Sequence, residues 1–408
     1  MSQPGIVVVG GSYAGLNAAA TARTAGYAGC VTLLGSEARL PYQRPPLSKD
    51  FLRGGTQVEQ LPLRPAAFFE TSAIALRTGT TVLSIDRGTK TLLLQGGDAL
   101  SYDKLVLATG CRPLRMDVPG ADAAGIHVLR TLDDAQVIAS QLEAARSVVV
   151  VGGGFIGLEI AASVRRMGKS VCVVEAQPRL LTRALAPAMA AYIAGWHARE
   201  GVQIHYGAQV AAFHVKQGRV SAGELADGTV LATDLVIVGI GVLPNQELAQ
   251  AAGISCGNGI LVDPKCRTSD PDVYAAGDCT SHPNAFAAGM TRLECVQNAV
   301  DQGRIAGTNA AGGQASYTTA PWFWSDQYEV KLQGTGISTG YDKFVLRGRM
   351  EDHAFSAFYF AGAQLLAVES VNKPGEHMLA RKLLAARVAL SDAQVADTAF
   401  DLKQVLAS

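Results

Sequence analysis

Gly152, Gly154 and Gly157, with an acid at Glu175 further on, have the spacing that grips a dinucleotide. The glycines do separate things: Gly152 turns the chain, Gly154 lets backbone approach a pyrophosphate, and Gly157 lets a helix pack closely on its strand. The phosphates would rest on the unpaired N–H groups at the helix start, where the dipole favours negative charge. A carboxylate at Glu175 accepts from both hydroxyls of an adenosine ribose and repels a 2′-phosphate, so NAD is expected over NADP. Arg179 and Arg183 follow closely and would partly offset that repulsion, but each is expected to swing to solvent. The elements that must position these residues are legible around them. The β-branched run Val148 to Val151 enters the glycines, an apolar helix follows Gly157, and the strand SVCVVEA carries Glu175.

A second copy stands at the start of the chain. GIVVVGGSYAGLNAAATA, from Gly5 to Ala22, is again strand, glycine turn and Ala-rich helix, followed by CVTLLGSE. Gly10 and Gly15 hold the outer positions and Ser12 replaces the second glycine; a serine still admits a pyrophosphate and offers a hydroxyl. The acid is Ser36 or Glu37 by position, and Glu37 is chosen because only it takes two ribose hydroxyls.

The chain has 408 residues, enough for two or three domains with a large core, and its 44 glycines and 48% hydrophobic content suit glycine-turned α/β sheets. A formal net charge of zero provides no bulk field for nucleic acid or an anionic membrane. The first apolar run, Gly5 to Gly10, is too short for a signal peptide and no run is long enough for a membrane span, so a cytoplasmic protein is expected. The seven cysteines include no C-x-x-C, and neither they nor the seven histidines form a cluster with metal spacing.

Two nucleotide units mean two dinucleotides, read most economically as a held FAD and a visiting NADH. In that order, and with PYQRPPLSKDFL (Pro41 to Leu52), YDKLVLATG (Tyr102 to Gly110), LRTLDDA (Leu129 to Ala135), VYAAGDC (Val273 to Cys279) and PWFWSDQY (Pro321 to Tyr328), the chain resembles the FAD-dependent pyridine nucleotide oxidoreductases. More narrowly, it resembles the NADH-dependent ferredoxin reductases that serve haem-thiolate monooxygenases and Rieske-type dioxygenases. The resemblance implies an α/β fold: two Rossmann-like domains of the glutathione-reductase type and a C-terminal α+β domain with an antiparallel sheet. It also implies the cut: residues 1–111 and 240–320 for FAD, 112–239 for NAD, and 321–408 for the C-terminal domain. In that last part FVLRG, AFSAFYF and LLAVESV read as strands, and a helix is expected from about Gly375 to Ala386.

Site residues follow from the same resemblance. Gly10, Ser12, Ala14, Gly15, Glu37, Lys49, Val82, Arg130, Asp278, Val296 and Trp324 are expected around FAD. Gly152, Gly154, Ile156, Gly157, Glu159, Glu175, Arg183 and Gly241 are expected around NAD. Asp278 reads as lying before a helix, where it would accept from the ribitol. Some relatives have an aromatic at the position of Val296. Lys49 matches a lysine near the flavin N5 edge and Glu159 a glutamate near the nicotinamide, the two catalytic candidates, expected to approach each other in the closed complex. Trp324 reads either as a shield at the flavin edge or as a buried anchor of the third domain. Arg64 and Arg304 match positions that face the electron carrier, with Lys373, Arg381 and Lys382 as weaker additions.

The stretch from Tyr42 to Lys49 lacks the cysteine that peroxide- or coenzyme A-linked relatives need, and the redox pair of disulfide reductases is missing too. Electrons are therefore expected to leave the flavin directly, to a small [2Fe-2S] ferredoxin. Alternatives are a rubredoxin or monodehydroascorbate-type reductase, or a slow FAD/NAD redox-sensing protein.

Overall fold

A computed structural model describes residues 4–287 and 289–406, and the chain divides into two compact units. One holds the residues up to Gln43, Val58–Arg112 and Leu243–Phe323; the other holds Arg44–Gln57, Pro113–Val242 and the chain from Trp324 onward. The outermost residues of the expected ranges, 1–3 and 407–408, lie outside the described residues.

The first unit is built on a parallel sheet. Among the described residues its strand order is Val273–Ala275, Lys104–Leu107, Gly5–Val9, Cys30–Leu34 and Ile74–Arg77. Gly5–Val9 is buried throughout, as a strand covered on both faces must be. Ile6 and Val8 pack with the alanines of the helix Tyr13–Thr24, whereas Val7 and Val9 pack with Leu92, Leu94 and Leu105 on the other side. The helix Val296–Ala310 meets the first helix backbone to backbone. A Cβ at Gly303 would lie 2.4 Å from Ala14 O, and one at Gly307 2.2 Å from Ala18 O, so the crossing has room only for glycine.

In this unit Asp278 is not followed by a helix. The next element is the strand Thr280–Pro283, paired at Thr280 with Ile260 of Gly259–Leu261, and the helix begins only at Val296. Burial decides this: Thr280 and Ser281 lie in the interior, and the Thr280 hydroxyl donates to Gly277 O and is 2.8 Å from Gln302 Oε1. Tertiary pairing overrides the local turn signal.

The second unit carries its own parallel sheet, ordered Gln203–Tyr206, Ser170–Glu175, Ser147–Val151, Leu235–Val238, Ile126–Val128 among the described residues. Val149 and Val151 pack under an antiparallel meander through Phe213, Val220 and Leu225. A further sheet runs Trp322–Gln327, Val330–Gly336, Gln364–Val371, Ala354–Ala361, Lys343–Arg349, with the last three adjacent pairs antiparallel. The helix Pro374–Ala386 buries His377, Ala380, Leu383 and Leu384. No helix among the described residues is long and apolar enough to cross a membrane.

Candidate dinucleotide and redox site

The strand Ser147–Val151 ends in Gly152, whose φ of 106° only glycine adopts readily. A Cβ there would lie 2.3 Å from Gly239 O, and one at Gly157 2.2 Å from Gly152 O, so both are required by packing. Gly154 differs: nothing lies within 4 Å of the place a Cβ would take. It is the N-cap of the helix Phe155–Arg166 and makes no side-chain cap, so this helix start suits an anion. Glu175 is pinned beside them, its Oε2 accepting from Gly153 N at 2.6 Å and its Oε1 from Gln177 N at 2.7 Å. Each oxygen keeps a lone pair for a hydroxyl. Ile156 is 46% exposed on the first turn, and the place of a Cβ at Gly241 (φ 116°) is 3.8 Å from the Arg183 guanidinium.

Arg179 does not swing to solvent. Its guanidinium donates to the carbonyls of Leu180, Leu185 and Thr182 at 3.3, 3.1 and 3.1 Å, closing its own loop. Neutralising a 2′-phosphate would first break those bonds. Glu175→Ala is expected to narrow the ratio of kcat/KM for NADH over NADPH by about tenfold, the worth of a hydrogen bond to a charged group. A wild-type enzyme that used NADPH as well as NADH would remove Glu175 from this role.

The first fingerprint has the same construction. Gly10 has φ 122° and a Cβ there would lie 2.0 Å from Ala108 O; at Gly15 it would lie 1.8 Å from Gly10 O. Ser12 is the N-cap of the helix, with no side-chain cap bond. A Cβ at Gly277 would lie 3.0 Å from Ala14 Cβ and 3.7 Å from Ala299 Cβ, so the turn carrying Asp278 runs against the opening turns of both helices. Gly10, Ser12, Ala14, Gly15, Asp278 and Val296 are thus brought together. Asp278 Oδ2 accepts from the Cys111 thiol at 3.4 Å, and half-buried Glu37 accepts from Tyr42 Oη at 2.5 Å. Val82 opens the strand Val82–Asp86 and packs on the sheet core. Two uncapped helix starts meeting at a turn with an acid fit a dinucleotide such as FAD, as the second cradle fits NAD.

Lys49, Arg130 and Trp324 belong to the second unit. Lys49 follows the 3₁₀ turn Pro45–Ser48 and pairs with Glu159 at 2.8 Å, with side chains 14% and 6% exposed. The expected approach of the two side chains is a direct ion pair in this structure. The two Glu159 oxygens also accept from Ser48 Oγ at 2.5 Å and Ser325 Oγ at 2.7 Å. Ser163, one helical turn beyond Glu159, donates to Ser48 O at 2.9 Å, so one helix face holds the turn by both ends of Ser48. Sequence reasoning missed both serines, though Ser48 adjoins Lys49 in RPPLSK and Ser325 adjoins Trp324 in PWFWSDQY. The Arg130 carbonyl accepts from Arg44 at 2.6 Å, and Trp324 is half-buried next to Ser325.

Arg64 and Arg304 are exposed in the first unit. Arg64 lies over the Phe68 ring at 5.4 Å, and Arg304 stands 4.0 Å from Asp301. In the second unit Lys373 takes the N-cap of a helix, Lys382 is exposed, and Arg381 reaches the Met378 sulfur at 3.6 Å. Among the described residues no group of three or more His, Cys, Asp or Glu is placed to hold a metal ion.

Residues 4–303 match the family described as pyridine nucleotide-disulphide oxidoreductase, and residues 322–406 match the reductase C-terminal domain. The chain is 45% identical to rhodocoxin reductase of Rhodococcus erythropolis, over 98% of this chain and 94% of that protein. It superposes on the ferredoxin reductase for the CYP199A2 system from Rhodopseudomonas palustris with a TM-score of 0.96 at 41% identity, covering 98% and 99% of the two chains. A covalent putidaredoxin reductase–putidaredoxin complex gives a TM-score of 0.95 at 38% identity, covering 100% of this chain and 99% of that one. The chain belongs to the pyridine nucleotide-disulphide oxidoreductase family, in the branch of ferredoxin reductases that carries this C-terminal domain.

Proposed function

We propose that this chain is an NADH-dependent ferredoxin reductase that holds one FAD non-covalently and supplies a [2Fe-2S] ferredoxin of a haem-thiolate monooxygenase or Rieske dioxygenase system. The observation that carries the reading is two dinucleotide cradles in a chain whose seven cysteines form no disulfide. Burial pushes the Cys172 thiol up to about 11 and the Cys295 thiol up to about 12, which keeps both protonated and poor nucleophiles. No thiol relay takes the electrons onward. Bound FAD supplies the chemistry, accepting a hydride from NADH and returning the two electrons singly; the net reaction is NADH plus two oxidised ferredoxins giving NAD⁺, two reduced ferredoxins and a proton.

The chain's own residues bind and orient. The first-fingerprint residues with Glu37, Val82, Arg130 and Asp278 hold FAD, and the second-fingerprint residues with Glu175, Arg183 and Gly241 hold NADH. Lys49 would present an ammonium to the flavin, with Glu159 fixing it through their ion pair, and Val296 and Trp324 would be ring-side residues. We further propose the division into FAD, NAD and C-terminal domains at residues 111, 239 and 320, and a cytoplasmic location. NADH-driven reduction of a small panel of ferredoxins, with rubredoxin alongside, tests the reading; reduction of rubredoxin but of no ferredoxin would replace it with the rubredoxin alternative.

Small ferredoxins of this kind are acidic, so a chain of zero net charge must steer them with local basic residues, and Arg64 and Arg304 are our candidates. Arg304→Glu is expected to raise KM for ferredoxin and flatten its salt dependence, with ferricyanide reduction by NADH intact. If dye and ferredoxin reduction fell together, Arg304 would belong to the fold or the flavin site instead.

A further inference from the structure

Behind Glu159 lies a chain of buried polar side chains that the reaction does not by itself require. Ser325, Gln327 and His197 are 0%, 3% and 1% exposed. Ser325 Oγ is 2.7 Å from Glu159 Oε1, Gln327 Nε2 is 3.0 Å from Ser325 Oγ, and His197 Nε2 is 2.8 Å from Gln327 Oε1. Tyr328 Oη stands 3.5 Å from His197 Nδ1, its ring edge-on to the imidazole at 5.2 Å.

The direction of every bond follows from the carboxylate. Glu159 can only accept, so the Ser325 proton points to it and the free lone pair of Ser325 faces Gln327. That lone pair needs an N–H, which turns the Gln327 amide nitrogen toward Ser325 and its oxygen toward His197. His197 must then carry its proton on Nε2 and leave Nδ1 as acceptor toward Tyr328. Burial holds the His197 imidazole down at about 4, so the ring is neutral and one tautomer is defined. The amide in the middle also decides what the chain transmits. Passing a proton through Gln327 would require an imidic tautomer, so the chain conveys orientation and not protons.

We propose that Gln327 and His197 are positioning residues for the Lys49–Glu159 pair: through Ser325 they hold one carboxylate oxygen of Glu159 so that the other faces Ser48 and Lys49. The proposal rests on the reading above that this pair serves reduction of the flavin by NADH. It couples the Trp322–Gln327 strand and the Pro187–Arg199 helix to the place of the Lys49 ammonium.

The test has two arms on the FAD-loaded full chain. In ¹⁵N-histidine NMR, with the signal assigned through its loss in His197→Gln, His197 is expected as the pure Nε2–H tautomer; Glu159→Gln removes the accept-only constraint and should give mixed tautomers. An Nδ1–H tautomer, or a signal indifferent to Glu159→Gln, overturns the chain. In stopped flow, His197→Phe and Gln327→Met are expected to slow flavin reduction by NADH about 10- to 100-fold, the cost of a displaced reacting group. His197→Gln, which can still offer an N–H to Gln327, should recover part of that loss. Wild-type rates in both His197→Phe and Gln327→Met overturn the positioning role. If Glu159→Gln itself reduces at the wild-type rate, the role of the pair fails, and the NMR arm then judges the hydrogen-bond chain separately. Should His197→Phe not fold, Gln327→Met and the NMR of the unaltered chain decide.

Discussion

Gly303→Val is expected to abolish the first unit, giving colourless or insoluble protein where the parent is yellow. The reason is that no side chain is available to move: the three atoms nearest a Cβ at Gly303 are Ala14 O, C and Cα, at 2.4, 3.1 and 3.1 Å. The two helices would have to separate, and Ala14 sits at the turn where Gly277 also closes in. Overpacking of this kind costs about 1–3 kcal/mol where side chains can adjust, and more where backbone must shift. Gly195→Ala is the contrasting case. Gly195 lies inside the helix Pro187–Arg199 with nothing within 4 Å of a Cβ, and alanine there should stabilise by about 0.5–1 kcal/mol. Thermal unfolding of the two variants and their FAD content check both signs. A yellow Gly303→Val protein with the parent's Tm would contradict the packing argument.

Glu159→Gln should slow flavin reduction by NADH about 100-fold while FAD content stays at the parent level. The amide keeps one oxygen, and its NH2 falls either on Ser325 Oγ or on Lys49 Nζ and Ser48 Oγ, each of which arrives as a donor to the carboxylate. Glu159→Leu is the harsher change, because it leaves the Lys49 ammonium with the Pro45 carbonyl, 3.2 Å away, as the remaining partner given by this geometry. Removing one member of a buried ion pair costs about 3–5 kcal/mol, so Glu159→Leu is expected to lower Tm where Glu159→Gln lowers mainly the rate. An unchanged reduction rate in Glu159→Gln takes Glu159 out of the mechanism.

The fingerprints were legible in the sequence because their constraints are local. Gly152 and Gly10 need a positive φ, and a Cβ at Gly157 or Gly15 would meet a carbonyl of its own turn at about two ångströms, so residue type alone reports the geometry. The C-terminal strands and helix were legible from alternation and turn residues for the same reason. What escaped depends on segments far apart in the chain. Asp278 precedes a strand because Thr280 pairs with Ile260, Arg179 is spent on carbonyls of its own loop, and Ser48 and Ser325 converge on Glu159 from two distant motifs. The placement of Arg44–Gln57 with the second unit is of the same kind, since nothing in its own residues names the helix it docks on.

The strand order of the first sheet carries a consequence for how the protein is made. Its edge strand, Val273–Ala275, and the helix bearing Gly303 and Gly307 come after the last strand of the other parallel sheet, Leu235–Val238. A ribosome delivers about 5–20 residues per second from the N-terminus. The first fingerprint therefore leaves the exit tunnel early and waits with an edge of Lys104–Leu107 unpaired and the alanine face of Tyr13–Thr24 uncovered, while the sheet spanning Ile126 to Val238 has all its strands in hand. The nascent chain is thus expected to have the strands of its second cradle complete before those of its first, with an unpaired strand edge exposed in the interval.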